Sequence, residues 1–229
     1  MRQLSFSRSC FVILVLLGAL LAGCGPKTTT VGVDGDSTDG TKSPYGDRHR
    51  APLKATDLVP TEVDGVWGFA DPDGFMIIEP KYAMAYEFSE GGITSVLGDD
   101  GWAVINMKGE VLVRPFIYDN GPDYFEEGLA RYVDEQGKFG FFDLYGQIAV
   151  PAAFDFAAPF VEQRAAVCNG CVRVQVGEHW TMKGGKWGYI DVKGDVVIPL
   201  EYDEANDFVE GKAMVKKGGV SVEIDKGGE

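Results

Sequence analysis

Three sets of side chains in this sequence are of kinds that react or bind. The first is a row of acids and one amide at matching places, Asp71, Asn106, Asp143, Asp191 and Asp225, each three residues ahead of a glycine. Two such carboxylates in unlike surroundings would supply the acid and base of a glycosidase. The second is Cys168-Asn169-Gly170-Cys171 with His179 ten residues or so downstream, a group able to form a disulfide, to ligate zinc or to act as a redox pair. The third is a series of rings, Trp67, Trp102, Phe139, Trp180, Trp187 and Tyr189. Exposed on successive units, such rings would make a platform for a carbohydrate or anchors for a protein partner.

A repeat positions all three sets. Its clearest copy runs from Gly185-Lys186-Trp187-Gly188-Tyr189-Ile190-Asp191 through Gly194 to Val197-Ile198-Pro199, and the aromatic that opens each copy recurs at Trp67, Trp102, Phe139 and Trp187. A degenerate fifth start lies at Gly219-Val220-Ser221. A period of this size means a stacked array whose units cannot bury their apolar faces alone. The repeat also decides how the acids are read. Asp or Asn three residues before Gly is turn chemistry, in which the short acceptor bonds the backbone and the glycine takes the strained position. Because the row recurs in phase, its role is structural.

Each unit reads as three short strands and a corner. Residues 58–63 and 66–70 flank Asp64-Gly65, a dipeptide suited to a two-residue hairpin turn, so the array begins with a half unit. The opening strand alternates, with Trp67 and Phe69 on one face and Gly68 on the other, as if something packs against the glycine backbone. A second strand ends near Pro80, Pro115, Pro151 or Pro199, where the missing donor is expected to stop pairing. The corner carries aromatic pairs six residues apart, Tyr82 and Phe88, Tyr118 and Tyr124, Phe154 and Phe160, Tyr202 and Phe208, read as pins in the core. It exits through Glu-Gly or Glu-Gln into a third strand. The expected fold is all-β: tandem three-stranded antiparallel units, about four complete with half units at the ends. An open solenoid-like array is favoured over a closed propeller, with Ser221 capping an open end.

The N-terminus is of another kind. Arg2 and Arg8 precede an apolar run to Cys24 that is too short to span a bilayer and reads as a secretion signal over residues 1–23. Leu21-Ala22-Gly23-Cys24 resembles the lipobox of bacterial lipoproteins, which implies cleavage before Cys24 and lipidation of that residue. Residues 24–53, rich in Thr, Gly, Ser, Asp and Pro, read as a disordered linker, and residues 54–229 as the folded domain. The acids at 34–39 do not fit a calcium loop, because Tyr45 stands where the bidentate Glu belongs. Formal net charge is −14, and removing residues 1–23 takes away two arginines and no carboxylate. Nucleic acid is therefore an unsuitable partner.

This export signal bears on the cysteines. Of the four, Cys10 would leave with the signal and Cys24 would carry lipid, so a disulfide between Cys168 and Cys171 is the favoured reading in an oxidising compartment. Zinc is short of a fourth ligand, and a thioredoxin-type pair lacks the helix it needs. Asn169-Gly170 reads as a hairpin turn between the two sulfurs.

Trp-Gly-Phe/Tyr-x-Asp, then Gly, a Val/Ile pair, Pro, Tyr-Asp and Phe-x-Glu-Gly is similar to the WG repeat family of bacterial proteins, over about residues 58–225. Ala103 after Trp102, Phe139 in place of Trp, and Ser221 depart from the pattern. The resemblance implies a structural or interaction module without established catalytic activity. With histidines only at 49 and 179, no phosphate loop and no nucleophile elbow, the expectation is a non-catalytic scaffold that needs no cofactor or metal. It would be lipid-anchored at the cell envelope, on the outer membrane where there is one, and would bind a protein or glycan. A carbohydrate-binding or carbohydrate-cleaving protein is the alternative.

Overall fold

The computed structural model describes residues 52–229; the expected signal, Cys24 and the expected linker up to residue 51 lie outside the described residues. Leu53, assigned to the linker by composition, instead packs against the first core, because it is the apolar residue that precedes a 3-10 turn at Ala55–Asp57. Among the described residues the structure is otherwise strand and turn.

Five antiparallel sheets follow one another along the chain. The first joins β1 (Val59–Val63), β2 (Val66–Ala70) and β3 (Met76–Tyr82); the second joins β4 (Met84–Ala85), β5 (Ile93–Gly98), β6 (Gly101–Asn106) and β7 (Val111–Val113). A small separate hairpin, β8 (Ile117–Tyr118) and β9 (Gly121–Pro122), comes next. The third sheet joins β10 (Leu129–Val133), β11 (Phe139–Asp143) and β12 (Ile148–Phe154). The fourth joins β13 (Phe156–Ala157), β14 (Ala165–Val176), β15 (His179–Ile190) and β16 (Val196–Tyr202), and the fifth joins β17 (Glu204–Ala205), β18 (Lys212–Lys217) and β19 (Val220–Asp225). Each sheet centres on an opening strand and takes its first long strand from the preceding copy of the repeat. The initial half unit thus completes the first sheet, and the degenerate start at Ser221 forms the opening strand of the fifth.

Burial ties each sheet to its neighbour. Phe69 and Ile78 of the first sheet share a core with Val96 and Ile105 of the second, whose Ile93 and Val104 share another with Ala130 and Phe142 of the third. Phe141 and Val150 pack with Val167 and Ile190, and Tyr189 and Ile198 pack with Val215 and Ile224. No core joins the first sheet to the fifth, and none of the sheets closes into a barrel, so the described residues form an open array. Carboxylates reinforce the stacking: the backbone N–H of Gln163 donates to Glu127 Oε2 at 2.7 Å, and that of Gly211 donates to Glu162 Oε2 at 2.9 Å.

The row of acids serves the turns. In each, one side-chain oxygen accepts two backbone N–H groups, as Asp143 Oδ1 does from Tyr145 and Gln147, both at 2.9 Å; Asp71, Asn106, Asp191 and Asp225 repeat the pattern. The glycine closing the turn lies at positive φ and faces the previous sheet: Gly194 meets Val150, and Gly228 meets Ile198.

The glycine after the opening aromatic has a different function. In the fourth sheet Trp187 faces Tyr202 and Tyr189 faces Ile198, so Pro199 and the two residues after it oppose Gly188 alone. A Cβ on Gly188 would overlap the Ile198 carbonyl oxygen. The first and third sheets repeat this wide bulge over Gly68 and Gly140. Prolines were expected to end pairing; instead pairing resumes at Tyr82, Phe154 and Tyr202, because a bulge asks no donor of the residues in it. The corner pins follow from the same geometry. In the first, third and fourth sheets the first aromatic of the pair faces the opening ring across the strands, and the second packs edge-on or tilted against the next ring of the opening strand, Phe69 on Phe88 at 4.7 Å, Phe141 on Phe160 at 4.6 Å and Tyr189 on Phe208 at 4.9 Å.

The second sheet breaks the rule where the sequence does. Ala103, buried, occupies the glycine position, and β7 pairs only through Val111 and Val113. The chain then leaves for the third sheet, where Pro115 bridges Tyr132 and the Phe116 N–H donates to Arg131 O at 2.9 Å. One extra residue in the β8–β9 turn shifts the corner, so the pin is Phe125, packed on Phe142 at 5.3 Å, and not Tyr124, which is 69% exposed.

Candidate functional site

The two departures from the repeat, the β8–β9 hairpin and the long β14–β15 ribbon, come together with the corner of the fifth sheet around a groove of about 1040 Å³. The hairpin is fixed from below. Arg131 is buried on β10 and donates from Nε and Nη2 to the two oxygens of Asp123, each at 2.8 Å, and from Nη1 to Ala157 O at 3.0 Å. Its guanidinium lies 4.7 Å from the Phe116 ring centre. Both charges are thus paired and hydrogen-bonded, which a buried ion pair requires.

The ribbon is built differently from the expected tight turn at Asn169-Gly170. β14 runs through that dipeptide, and the turn comes at Gly177-Glu178. Residues Gly170, Gly184 and Gly185 all have positive φ, so they break the extended backbone of both strands between the pairs Asn169 with Lys186 and Cys171 with Gly184. A disulfide joins Cys168 and Cys171 along this break, with Cα atoms 6.2 Å apart. It takes up both thiols that the zinc reading needed. Both cysteines are buried with Trp187, Tyr189 and Ala166, so the bond sits where the ribbon leaves the core.

Beyond the break, Arg173 and Trp180 turn toward the groove. Trp180 is half-buried, its ring edge-on to Phe156 at 6.0 Å and to Phe116 at 6.3 Å, and the Arg173 guanidinium stands 4.2 Å from its centre. Phe156 continues the chain of rings to Trp187 at 5.9 Å and Phe139 at 5.3 Å. Of the six rings singled out in the sequence, Trp180 and Trp187 line the groove, although Trp187 is itself buried. Phe139 lies buried beneath, supporting Phe116 and Phe156. Tyr189 is wholly buried and its hydroxyl donates to Asn206 O at 2.7 Å; burial, then the charge of Asp207, push its phenol well above the ordinary value, so it stays protonated. The opening rings are thus mainly core because the bulge folds over them. Trp67 packs half-buried on the first core, away from the groove. Trp102, without a bulge partner, stacks parallel on Tyr86 at 5.5 Å.

Tyr86 lines a second cleft of about 440 Å³ on the other side of the β8–β9 hairpin, with Tyr118, Asp119, Asn120 and Tyr124. Tyr118 and Asp119 line both clefts. Asp119 holds the position that Asp155 and Asp203 hold in their corners. Those two are clamped: Asp155 by Lys138 Nζ and the Gly170 N–H, each at 2.6 Å, and Asp203 by Lys186 Nζ and the Gly218 N–H, each at 2.7 Å. The lysine bond first and the backbone bond second hold both carboxyls below the usual range. Asp119 instead lies at φ 55° in the hairpin turn with neither clamp. In the sequence Tyr118 and Tyr124 were read only as core pins, and both are instead exposed; Tyr86, Asp119 and Asn120 were not singled out, and the signal that could have found the cleft was the extra residue in the second corner together with Ala103.

Among the described residues no helix is long and apolar enough to cross a membrane, and no cluster of His, Cys, Asp and Glu is suited to a metal ion. No curated protein matches the chain. The sequence pattern described as WG containing repeat matches residues 67–96, 102–138, 139–178 and 187–220, each beginning at an opening strand of the array. With more than half of its length matched in that way, the chain belongs to the WG containing repeat family.

Proposed function

We propose that this protein is a non-catalytic binding module held at the bacterial cell envelope by lipid on Cys24, and that it takes its ligand in the groove beside Trp180. The observation that carries this reading is the groove itself, about 1040 Å³ in volume, where the half-buried rings of Phe156 and Trp180 meet polar groups of both signs. Sites of this make-up bind ligands, with the apolar floor giving affinity and the polar rim orientation. The acids that looked like a catalytic row are engaged in the turns, which favours binding over glycoside cleavage. A regular array displays its exceptions, and here both exceptions meet at one place.

The test compares wild type with the Trp180→Ala, Arg173→Ala double variant, full-length and in detergent so that the anchor does not hold it. Washed insoluble envelope material from a lipoprotein-making bacterium should retain the wild type and lose the variant, with the melting temperatures close. Equal retention of both, or of neither, overturns the groove as a binding site. Cys24→Ser should move the protein from the membrane to the soluble fraction; retention on membranes overturns the lipid anchor.

A further inference from the structure

On the reading that the groove binds, we infer that its occupant is an uncharged oligosaccharide chain that crosses the β8–β9 hairpin and fills both clefts. Three observations lead to this.

The clefts are contiguous over a shared wall. Tyr118 and Asp119 line both, and together the clefts offer room for a chain of several units rather than one small ligand. The rings are arranged for such a chain. Tyr86, Tyr118 and Tyr124 are 48%, 53% and 69% exposed beside the smaller cleft, and Trp180 presents its half-buried ring in the larger one. A pyranose has an apolar C–H face that lies on a ring of this kind while its hydroxyl rim needs donors and acceptors together. Both are here: Asp119, Asn120 and Asn206 accept, and Tyr118, Arg173 and Lys183 donate.

Charge disfavours the alternatives of strong sign. The whole chain has 35 acidic against 21 basic side chains, yet the larger groove is lined by Asp119, Glu178 and Glu204 together with Arg173 and Lys183. Glu204 is further offset by Lys216 at 3.2 Å. A cationic peptide would find no net acidic charge in that groove, and an anionic polymer would be repelled by the rest of the surface.

The experiment titrates the full-length protein in detergent micelles with chitohexaose, cellohexaose and mannohexaose, following tryptophan fluorescence. At least one hexamer should bind, and its trimer should bind about tenfold more weakly or less. Trp180→Ala and Tyr124→Ala, on opposite sides of the hairpin, should each weaken the hexamer about tenfold, which is the loss of one aromatic contact, with circular dichroism showing both variants folded. No response to any of the three hexamers at millimolar concentration overturns the inference. If envelope retention still depends on Trp180 and Arg173 in that case, the binding reading stands and the ligand is of another class, a peptide first among them; if retention is also lost, both fall. A hexamer that binds equally well to the Tyr124→Ala protein and to wild type confines the ligand to one cleft and overturns the crossing.

Discussion

The second and fourth sheets start from the same plan and separate at one residue. In the fourth, Gly188 follows Trp187, the outer strand bulges over it, and Tyr202 returns to face the tryptophan. In the second, Ala103 follows Trp102, the outer strand stops at Val113, and the freed chain becomes the hairpin that divides the two clefts. Where the methyl group of Ala103 stands in place of glycine, the outer strand does not bulge over the opening ring, and its chain instead forms a wall shared by both clefts. Trp102, left without a bulge partner, stacks on Tyr86 at the edge of the smaller cleft. The difference shows that the bulge over the opening glycine closes a unit on itself, and that where the bulge is missing the chain is free to line both clefts.

The comparison breaks most readily at Arg131. If the diverted chain of the second unit is held by the buried pair, Arg131→Met should cost about 3–5 kcal/mol, because it leaves Asp123 buried without its partner. Adding Asp123→Leu should restore much of it; urea denaturation of both variants checks this. Gly188→Ala tests the bulge directly. The Cβ would enter the bulge, so a loss of about 1–3 kcal/mol is expected, and an unchanged denaturation midpoint would remove the steric account.

Smaller effects sharpen the contrast. Cys168→Ser with Cys171→Ser opens a very short loop, worth at most about 2 kcal/mol in chain entropy, so the array should stay folded. Hydrogen exchange should rise in residues 172–183 of the ribbon and not in the second sheet. Ala103→Gly is predicted to cost only about 0.5–1 kcal/mol and to leave the hairpin in place, because Arg131 and Asp123 hold the diverted path once it is taken. Loss of the Trp102–Tyr86 stack in a structure of that variant would mean that the methyl group alone decides the path.

Acid gives the last comparison. Asp155 is held below the usual carboxyl value by Lys138 and the Gly170 N–H. A depressed folded pKa contributes stability that is fully present above the unfolded value near about 3.9 and is lost as pH falls through the lower folded value. Asp155→Asn should therefore lower stability at neutral pH and flatten its loss below about pH 4, as read from the urea midpoint across that range.

Much of the architecture was legible in the sequence because it depends on local chemistry. Asp64-Gly65 takes positive φ at both residues, and Asp143 caps its own turn through bonds to residues two and four further on. In-phase aromatics, glycines and Val/Ile pairs identify the unit and, by repetition, the stacking of units that cannot bury themselves alone. The prolines misled because their missing donor predicts an end to pairing only if the partner strand needs that donor, and opposite Gly68, Gly140 and Gly188 it does not. Asn169-Gly170 misled for a related reason: its turn-forming φ at Gly170 is realised as a break inside a long ribbon whose partner, Gly185, also takes positive φ.

The sequence by itself determined the all-β repeat, the turn role of the acids and the pairing of the nearest cysteines, since each is set by residues close in the chain. Only the tertiary structure decided that Phe139 and Tyr189 are core while Trp180 lines a groove, and that Tyr118 and Asp119 stand between two clefts. That follows from contacts between elements far apart in sequence, Arg131 with Asp123 and Ala157, and Phe116 with Trp180, whose geometry no local pattern specifies.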